Sequence, residues 1–287
     1  MNPSSWLRNR TAVLATKHRK EQVIAPLLAQ EYNIKVIVPD NFDSDRFGTF
    51  TRDIPRVGSQ LAAARCKAEA VLDLTGETLA IASEGAFFPH PSIPFVGCDR
   101  ELILLLDRAN NLEIVGEKLS TDTNYNHRYV TSSAEAWEFA QQIGFPEHSL
   151  VVMSDPYTHN SEEIFKGINR KKTLCEIVDS LLQDNSQDRV YLETDMRAMC
   201  NPTRMEVIKQ ATLNLSQKIA RLCPQCSCPG FDLLEQKEGL LCAWCRTPTN
   251  LVLAEIYQCQ RCQFQETKMY PQGKKFADPG NCSYCNP

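Results

Sequence analysis

The sequence predicts an α/β fold, a mixed sheet with flanking helices, followed by a small cysteine-rich module. Two observations carry this prediction. Short apolar runs alternate with segments of helical periodicity over residues 1–222, and nine of the 13 cysteines fall in residues 223–287, eight of them at a fixed spacing. Hydrophobic residues make up 43% of the 287-residue chain, which is enough to fill an ordinary globular core. We therefore expect one domain over residues 1–222 and another over residues 223–287.

The first part of the chain reads as alternating strands and helices. Residues 11–15, 34–38 and 79–82 are short apolar runs typical of buried strands. A helical pattern follows the first run, and its Pro26 favours a helix that begins near Ala25. A second helical pattern ends at Gly76. This order of elements is typical of an α/β sheet.

The middle of the chain carries turn and cap signals. Residues 102–106 and 112–115 flank a polar turn and predict a hairpin. Ser132 and Thr173 each precede a glutamate by three residues, which predicts two capped helices. Asn201 followed by Pro202 predicts the start of a long helix that ends near the domain boundary. Further strands are expected at residues 150–153 and 190–192.

Eight of the nine cysteines in residues 223–287 form four Cys-x-x-Cys pairs. One tight turn can present both sulfurs of a pair to the same ion, and two such turns supply the four thiolates that zinc prefers. The gaps within each half of the module are long enough for a hairpin, turning near Gly239 and Gly273, so we expect adjacent pairs to share an ion. An interleaved or nested pairing is the alternative. The favoured assignment is one zinc at Cys223, Cys226, Cys242 and Cys245, and another at Cys259, Cys262, Cys282 and Cys285.

Both zinc ions are expected to be structural. Disulfides or redox-active dithiols are the alternative, but four pairs in register within a segment of few core residues favour metal-dependent folding. Cys228 falls outside the pattern and is expected to be a spare thiol, and the four cysteines of residues 1–222 are expected to be small buried residues. Ser227, Arg246 and Gln263 follow second cysteines, where glycine or asparagine is common, so local strain is expected there.

The net charge and its distribution limit the classes of partner that the protein is expected to bind. The net charge is -4, and residues 223–287 hold equal numbers of basic and acidic residues. Because affinity for nucleic acid rests mainly on cations that contact phosphate, a structural role or a protein partner is favoured over nucleic acid for this module. The chain has no apolar run long enough to span a bilayer and no apolar stretch near its start, so a cytoplasmic protein without membrane contact is expected.

Three segments of the first domain suggest a phosphate site. The turn that begins at Thr16 and includes Lys20 offers backbone N–H groups and cations. A predicted helix offers Lys67, and the end of a strand offers Glu84, a carboxylate able to hold Mg²⁺. The alternative is that both lysines are solvated helix residues and that Glu84 is a loop acid.

Two other clusters are candidates for the same site. His90 lies shortly after Glu84, although a single histidine is more often structural. Asp195 and Arg197 lie between a strand and a helix start, where ligands bind in open α/β sheets. An ion-paired turn without a ligand is an equal alternative for these two residues.

Residues 11–120 resemble the house-cleaning nucleoside triphosphate pyrophosphatases of the Maf and inosine triphosphatase type. The likeness lies in the strand–turn–helix segment through Lys20, the Lys67-Ala68 pair and the strand that ends at Glu84. It implies that Glu84 holds Mg²⁺, that both lysines contact phosphates, and that water attacks the α-phosphorus and releases pyrophosphate. The sequence departs from that family by having one carboxylate where it has two or three, and His18 where it has asparagine.

Over nearly its full length the chain also resembles an uncharacterised bacterial family defined by a domain of unknown function. The motifs GTFTRDIPR, ASEGAFFPHP, TDMRAMCNPTRM and CPQC…CAWC carry this likeness. Two functions are therefore expected as alternatives. The first is a Mg²⁺-dependent hydrolase of nucleotides or other phosphate esters, with a small phosphorylated ligand. The second is a non-enzymatic protein whose zinc ribbons recruit a partner.

Overall fold

The computed structural model describes residues 6–49, 54–56, 58–158, 160–184 and 188–287. Residues 50–53, which belong to the motif GTFTRDIPR, lie outside these ranges. The chain forms two compact units, Arg8–Ser216 in one and Gln217–Pro287, with the described residues at the start of the chain, in the other. The predicted boundary near Leu222 stays a prediction. In the described ranges, no helix combines the length and the apolar character needed to cross a membrane.

The larger unit contains a five-stranded mixed sheet, as expected. Its strands lie in the order β2-β1-β3-β4-β5. The first three strands run parallel, and β3, β4 and β5 form antiparallel pairs. The bounds are β1 Thr11–Ala15, β2 Lys35–Ile37, β3 Leu79–His90, β4 Ile93–Asp107 and β5 Leu112–Ser120.

Helices cover both faces of this sheet. Helix α2 (Gln60–Thr75) begins where Ser59 accepts a hydrogen bond from the Ala62 N–H, and it ends at Gly76 in the left-handed conformation, as predicted. It packs on the face of Val13 and Ala82. Helix α1 (Glu21–Tyr32) begins before the predicted start, because Pro26 is accommodated inside the helix.

The β3–β4 hairpin is much longer than the sequence predicts. The apolar run at residues 79–82 is only the first third of β3, which continues through Phe87 and Phe88 to His90. Pro89 and Gly97 interrupt the apolar pattern, and the register shifts between Pro89 and His90. The predicted hairpin between β4 and β5 is confirmed.

A second, four-stranded antiparallel sheet follows, in the order β6-β9-β7-β8. The bounds are β6 His127–Val130, β7 Leu150–Met153, β8 Ile164–Ile168 and β9 Val190–Thr194. Helices α3 (Ser133–Gln142) and α4 (Lys171–Asp184) pack on one face of it. Ser132 caps α3 as predicted. The cap predicted at Thr173 is wrong, because α4 begins two residues earlier, at Lys171.

The last helix of the larger unit, α5 (Pro202–Ala220), begins as predicted. The side-chain oxygen of Asn201 accepts a hydrogen bond from the Arg204 N–H at 3.0 Å. The helix approaches β5 so closely that a Cβ atom on Gly116 would overlap the backbone of Ala211 and Leu215. This contact requires glycine at position 116.

The cysteine-rich unit contains a three-stranded antiparallel sheet, β10 (Asp232–Glu238), β11 (Val252–Gln258) and β12 (Gln265–Met269). Strand β11 lies between the second and third cysteine pairs and hydrogen-bonds to both other strands. The two separate hairpins predicted inside residues 227–241 and 263–281 are therefore wrong. Each of those segments supplies one strand to a common sheet, because β11 offers both of its edges.

Candidate functional site

A cavity of about 460 Å³ opens beside the five-stranded sheet, where β1 ends. The last pairing of β1 joins Ala15 to Ala82, and β3 continues beyond that point. The next two residues of β3, Ser83 and Glu84, therefore lack a neighbouring strand on the β1 side. Their side chains point to opposite faces of the strand, so groups from both faces of the sheet can reach one cavity.

Six of the seven residues predicted for the phosphate site line this cavity. They come from the β1–α1 turn, from α2, from β3 and from the segment after β9. The surrounding wall also includes Val151 and Glu193 of the second sheet. His90 does not line the cavity; its Nδ1 accepts a hydrogen bond from the Ser92 N–H at the turn after β3. The six are Thr16, Lys20, Lys67, Glu84, Asp195 and Arg197.

Lys20 is buried, contrary to the alternative that it is a solvated helix residue. Its side chain is 5% exposed, and its Nζ donates a hydrogen bond to Ser83 Oγ at 2.6 Å. Burial is the main cause that lowers the pKa of Lys20 to about 7, and the positive charge of Arg204 adds to it. The neutral amine of Lys20 is therefore accessible at physiological pH.

Lys67 is also buried, but it has an anionic partner. Its Nζ forms an ion pair with Glu84 Oε1. The guanidinium of Arg56 lies 3.7 Å from the other oxygen of Glu84. Glu84 is 5% exposed and lies in the middle of β3, so the alternative of a loop acid is wrong. The two cations compensate its charge in the absence of any ligand.

A resident Mg²⁺ ion fits this cavity poorly. Hard divalent cations are held by several oxygen ligands, commonly from carboxylates. Glu84 is already paired with two cations. Within the described ranges, the groups of three or more His, Cys, Asp or Glu side chains close enough to share an ion are both made of cysteines.

His18 of the β1–α1 turn pairs with Asp45, which lies in the short helix Ser44–Phe47, and the sequence did not indicate this pair. His18 Nε2 lies 2.9 Å from Asp45 Oδ1, and both residues line the cavity. The hydrogen bond with His18 is the main cause that lowers the pKa of Asp45 to about 2. Burial lowers the pKa of His18, so its imidazole is mostly neutral at pH 7. The only feature of the sequence that pointed to His18 was its position in the β1–α1 turn.

Asp195 and Arg197 form the ion-paired turn that was one alternative, and they also line the cavity. Arg197 Nη2 donates to Asp195 Oδ2 at 2.6 Å, and the Arg197 N–H donates to Oδ1 at 3.0 Å. Asp195 Oδ2 also accepts a hydrogen bond from the Gly167 N–H at 3.0 Å. The charges of Asp195 and Arg197 are therefore paired with each other, whereas Lys20 is hydrogen-bonded to the neutral hydroxyl of Ser83.

Two aromatic rings form an apolar part of the cavity wall. Phe87 and Tyr125 both line it and stack with a centroid separation of 5.5 Å. Phe87 lies in the part of β3 that extends beyond the predicted end of this strand. Planar rings at the wall of a charged cavity suit a ligand that carries both an aromatic ring and an anionic group.

A buried charged layer supports the cavity from the face of α5. Arg204 is 1% exposed and donates to Glu101 Oε1 at 2.6 Å. The pair lies over Gly85, where any Cβ atom would overlap both side chains. Asp99 lies two residues from Glu101 on β4, and burial followed by the charge of Glu101 raises its pKa to about 8. Burial therefore favours the protonated form of Asp99.

The cysteines form two groups of four, but not in the predicted pairing. The favoured assignment joined the first pair to the second and the third to the fourth; the structure joins the first to the third and the second to the fourth. This interleaving follows from the common sheet, since β11 brings the third pair back beside the first. The tetrads are Cys223, Cys226, Cys259 and Cys262, and Cys242, Cys245, Cys282 and Cys285.

Both tetrads have the dimensions of a tetrahedral metal site. In each tetrad the four sulfurs lie within 4.8 Å of one another. The closest sulfur pairs are 3.6 Å apart, such as Cys223 and Cys262. Metal–sulfur bonds of about 2.3 Å in a tetrahedron place sulfurs about 3.8 Å apart. Two metal ions could therefore be held by these eight thiolates.

The turns that present the cysteines share one hydrogen-bond pattern. The N–H after the second cysteine donates to the carbonyl of the first, at 2.9 Å for Ser227 and Cys223. Ser227, Arg246 and Gln263 have φ angles of 58°, 65° and 61°, the left-handed values behind the predicted local strain. Cys228 belongs to neither tetrad. Of the cysteines outside the module, Cys98 is buried, and Cys66, Cys175 and Cys200 are only partly buried.

Comparison with known proteins gives a family without an assigned activity. The family model described as Domain of unknown function (DUF6671) matches residues 66–287. No curated protein matches the chain. The match includes Lys67, Glu84 and both tetrads, whereas the β1–α1 turn precedes it.

Proposed function

The chain belongs to the DUF6671 family, whose description assigns no activity, and we propose from its own geometry that the protein binds and hydrolyses a phosphate ester, with a nucleotide as the best-fitting class. The observation that carries this proposal is the meeting of Lys20, Lys67 and Arg56 at one cavity beside the open edge of β3. A cavity of about 460 Å³ falls within the range of small-molecule sites.

The charges support an anionic ligand. Lys67 and Arg56 flank Glu84, and a phosphate that displaces part of these ion pairs would gain two cationic partners in a site shielded from water. The same cations would stabilise the negative charge that develops on phosphoryl oxygens during hydrolysis. The stacked rings of Phe87 and Tyr125 favour a nucleotide over a simple phosphate ester, because they offer a surface for a base.

Metal use is expected to differ between the two units. The cysteine tetrads suit two structural zinc ions, because four thiolates in a closed tetrahedral set are typical of such sites. In the cavity, the cationic side chains take the place of a resident ion. Any Mg²⁺ would enter with the phosphates of the substrate, near Glu84.

The test is a screen of nucleoside triphosphates, diphosphates and monophosphates, with and without Mg²⁺, that measures phosphate and pyrophosphate release. We expect turnover of at least one class and a loss of about 10²-fold or more when Lys67 is replaced by Met, because a charged transition-state contact is removed. Lys209→Met is the matched control, since Lys209 lies on the exposed surface of α5 and pairs with Glu206. Silence across the screen, with folded protein and no thermal stabilisation by any nucleotide, would overturn the proposal.

A second function rests on a different observation in the cysteine-rich unit. Trp244 and Tyr284 are 77% and 76% exposed, and each lies inside a Cys-x-x-Cys turn of the same tetrad. The corresponding turns of the other tetrad carry no aromatic residue. Exposed aromatic side chains held on a rigid turn are typical anchors of protein interfaces. We propose that this tetrad presents them to a protein partner.

Site-specific photo-crosslinking in the native host tests this second function. A crosslinking residue at position 244 or 284 should capture a defined partner, whereas the same residue at position 95 should not. Phe95 is the matched control because it is apolar and 98% exposed but lies on the β3–β4 hairpin. Equal capture from all three positions would contradict a specific surface at the tetrad.

A further inference from the structure

We propose that Ser83 is a nucleophile activated by Lys20, so that hydrolysis proceeds through a covalent intermediate on Ser83. This inference rests on the function proposed for the cavity and assigns its reacting group. It rests on a short hydrogen bond, on the position of both residues in the cavity wall, and on the difference between the two buried lysines.

The hydroxyl of Ser83 has the geometry of an activated nucleophile. Its Oγ lies 2.6 Å from Lys20 Nζ, within the distance at which a base can take its proton. Both residues line the cavity. Ser83 is the first residue of β3 beyond the last pairing with β1, so no strand covers this edge of its backbone. A bound ester can therefore approach the hydroxyl from the cavity.

The two lysines of the cavity differ in the side chains that they contact. Lys67 forms an ion pair with the carboxylate of Glu84. Lys20 donates its hydrogen bond to a neutral hydroxyl. In many active sites, two titratable groups with different surroundings divide the roles of base and electrostatic partner. Lys20 suits the base, and Lys67 suits the stabilisation of charge on the substrate.

Burial and the neighbouring charged groups together set the lowered pKa of Lys20. Burial is the largest cause, Arg204 and Lys67 oppose its positive charge, and Glu101 and Glu84 favour it. His18 and Asp99 also interact with Lys20. These groups come from the β1–α1 turn, from α2, from β3, from β4 and from α5. A lysine that is desolvated and next to other cations is the usual setting of a neutral, reactive amine.

The proposed reaction balances in two steps. In the first, Ser83 Oγ forms a bond to phosphorus, the bond from phosphorus to the leaving oxygen breaks, and the hydroxyl proton passes to neutral Lys20 Nζ. In the second, a water oxygen bonds to the phosphorus, the bond to Ser83 Oγ breaks, and that oxygen takes the proton from Lys20. The water loses one proton to the solvent as inorganic phosphate forms. No metal, oxidant or reductant is required.

The competing mechanism is direct attack by water with His18 as the base. His18 is held by Asp45, and its Nδ1 has no hydrogen-bond partner among the described residues. No hydrogen bond links His18 to Ser83 in the same ranges. In that mechanism Ser83 only receives a hydrogen bond from Lys20, so its removal would have little effect on turnover and it would not react covalently.

Covalent labelling of the full, zinc-loaded chain tests the inference without any knowledge of the natural substrate. The probe is diisopropyl fluorophosphate, in which fluoride is the leaving group, and the modified residue is mapped by mass spectrometry. We expect a label on Ser83 in the wild type, none at this position in Ser83→Ala, and at least a 10-fold slower reaction in Lys20→Met. Ser154→Ala is the matched control, because Ser154 also hydrogen-bonds an ionisable side chain, in its case by donating to Glu163, but lies outside the cavity wall.

The Ser83→Cys variant provides an independent measurement. Its thiol should react with iodoacetamide at least 10-fold faster at pH 7 than in a Ser83→Cys/Lys20→Met double variant, because the amine takes the thiol proton. Other cysteines are distinguished by peptide mapping. No label on wild-type Ser83, or equal rates in the two cysteine variants, would overturn the inference.

Failure of this inference differs from failure of the proposed function. Nucleotide turnover that survives Ser83→Ala, with no label on Ser83, would leave the hydrolase proposal standing and would assign the reaction to water. A labelled Ser83 without turnover or binding of any phosphate ester would support the Ser83–Lys20 pair and would reject phosphate esters as its substrates.

Discussion

At the residue scale, the cavity holds two lysines whose burial is similar and whose partners differ. Lowering the pKa of Lys20 in the folded protein opposes folding, because the unfolded chain would protonate the amine at an ordinary pKa of 10.5. The Lys67–Glu84 pair has the opposite property, since each group stabilises the charge of the other. The two lysines therefore give opposite predictions for stability.

Replacing Lys20 by Met is expected to stabilise the protein while abolishing turnover. Its pKa is about 7 when folded and 10.5 when unfolded, so between these values the unfolded chain binds more protons and wild-type stability rises with pH. The gain from Lys20→Met should be about 2–4 kcal/mol at pH 7 and should shrink as the pH approaches 10. Urea unfolding at several pH values measures it.

Lys67→Met is the matched comparison for that experiment. It should lower the free energy of unfolding by about 2–5 kcal/mol, because it leaves the buried carboxylate of Glu84 with only the more distant Arg56. Destabilisation of similar size by both substitutions would contradict the electrostatic distinction between the two lysines.

The sequence indicated several charged residues of the cavity but not Arg56, its serine or its rings. Lys20, Lys67 and Glu84 were found because a polar turn, a helix and a strand end occur in an order that brings them together. Ser83 stood next to Glu84 without any signal of its own. Its significance depends on the end of β1 at Ala15, which only the pairing of strands reveals. Phe87 was missed because β3 was predicted to end too early.

At the element scale, the contact between β5 and α5 depends on the absence of a side chain. Gly116→Ala should destabilise the larger unit by about 1–3 kcal/mol, because the added methyl group overlaps helix backbone that cannot rotate away. Gly97→Ala is the matched control on β4, where the nearest atom to the new Cβ would be 4.0 Å away. Thermal unfolding measures both; equal effects would contradict close packing at Gly116.

Helix ends were more predictable than strand ends. Ser132, Asn201 and Gly76 act within one turn of chain, so a local pattern is sufficient to identify them. Thr173 shows the limit, because α4 already begins at Lys171. The extent of β3 and the presence of β6 and β8 depend on partners elsewhere in the chain, which local periodicity cannot supply.

The zinc content of cysteine variants reveals which Cys-x-x-Cys turns share a metal ion. In the observed arrangement, Cys226 and Cys259 belong to one tetrad, so Cys226→Ser/Cys259→Ser should retain about one zinc per chain. Cys226→Ser/Cys245→Ser affects both tetrads and should retain close to none. The adjacent pairing predicts the reverse, so elemental analysis of the two purified double variants distinguishes the arrangements.

At the scale of the whole molecule, the two compact units are expected to differ in their response to metal removal. A small unit with few core residues gains its folding free energy from metal binding, whereas the larger unit buries apolar clusters around both of its sheets. A zinc chelator should therefore abolish the protection of backbone amides in β10, β11 and β12 while β1, β3 and β4 stay protected. Hydrogen exchange measured by mass spectrometry tests this expectation. Protection that persists in β11 after complete loss of metal would contradict it.

The class of fold was predictable from composition, periodicity and cysteine spacing, and the mixed sheet with flanking helices is confirmed. The division of the larger unit into two sheets was not, because β6–β9 pairing joins segments about 60 residues apart along the chain. Cysteine spacing identified the turns that hold the sulfurs. It could not identify which turns meet, since that depends on the path of β11.

The crossing of the cysteine pairs also sets the order in which the module can be completed during synthesis. Neither tetrad can be completed until Cys262 has been added, and the second remains unfinished until Cys285 follows. Translation that stalls after Cys245 would leave four thiols on the nascent chain with neither tetrad formed. Formation of either tetrad is thus tied to synthesis of the chain through Cys262 and Cys285 rather than to the first two cysteine turns alone.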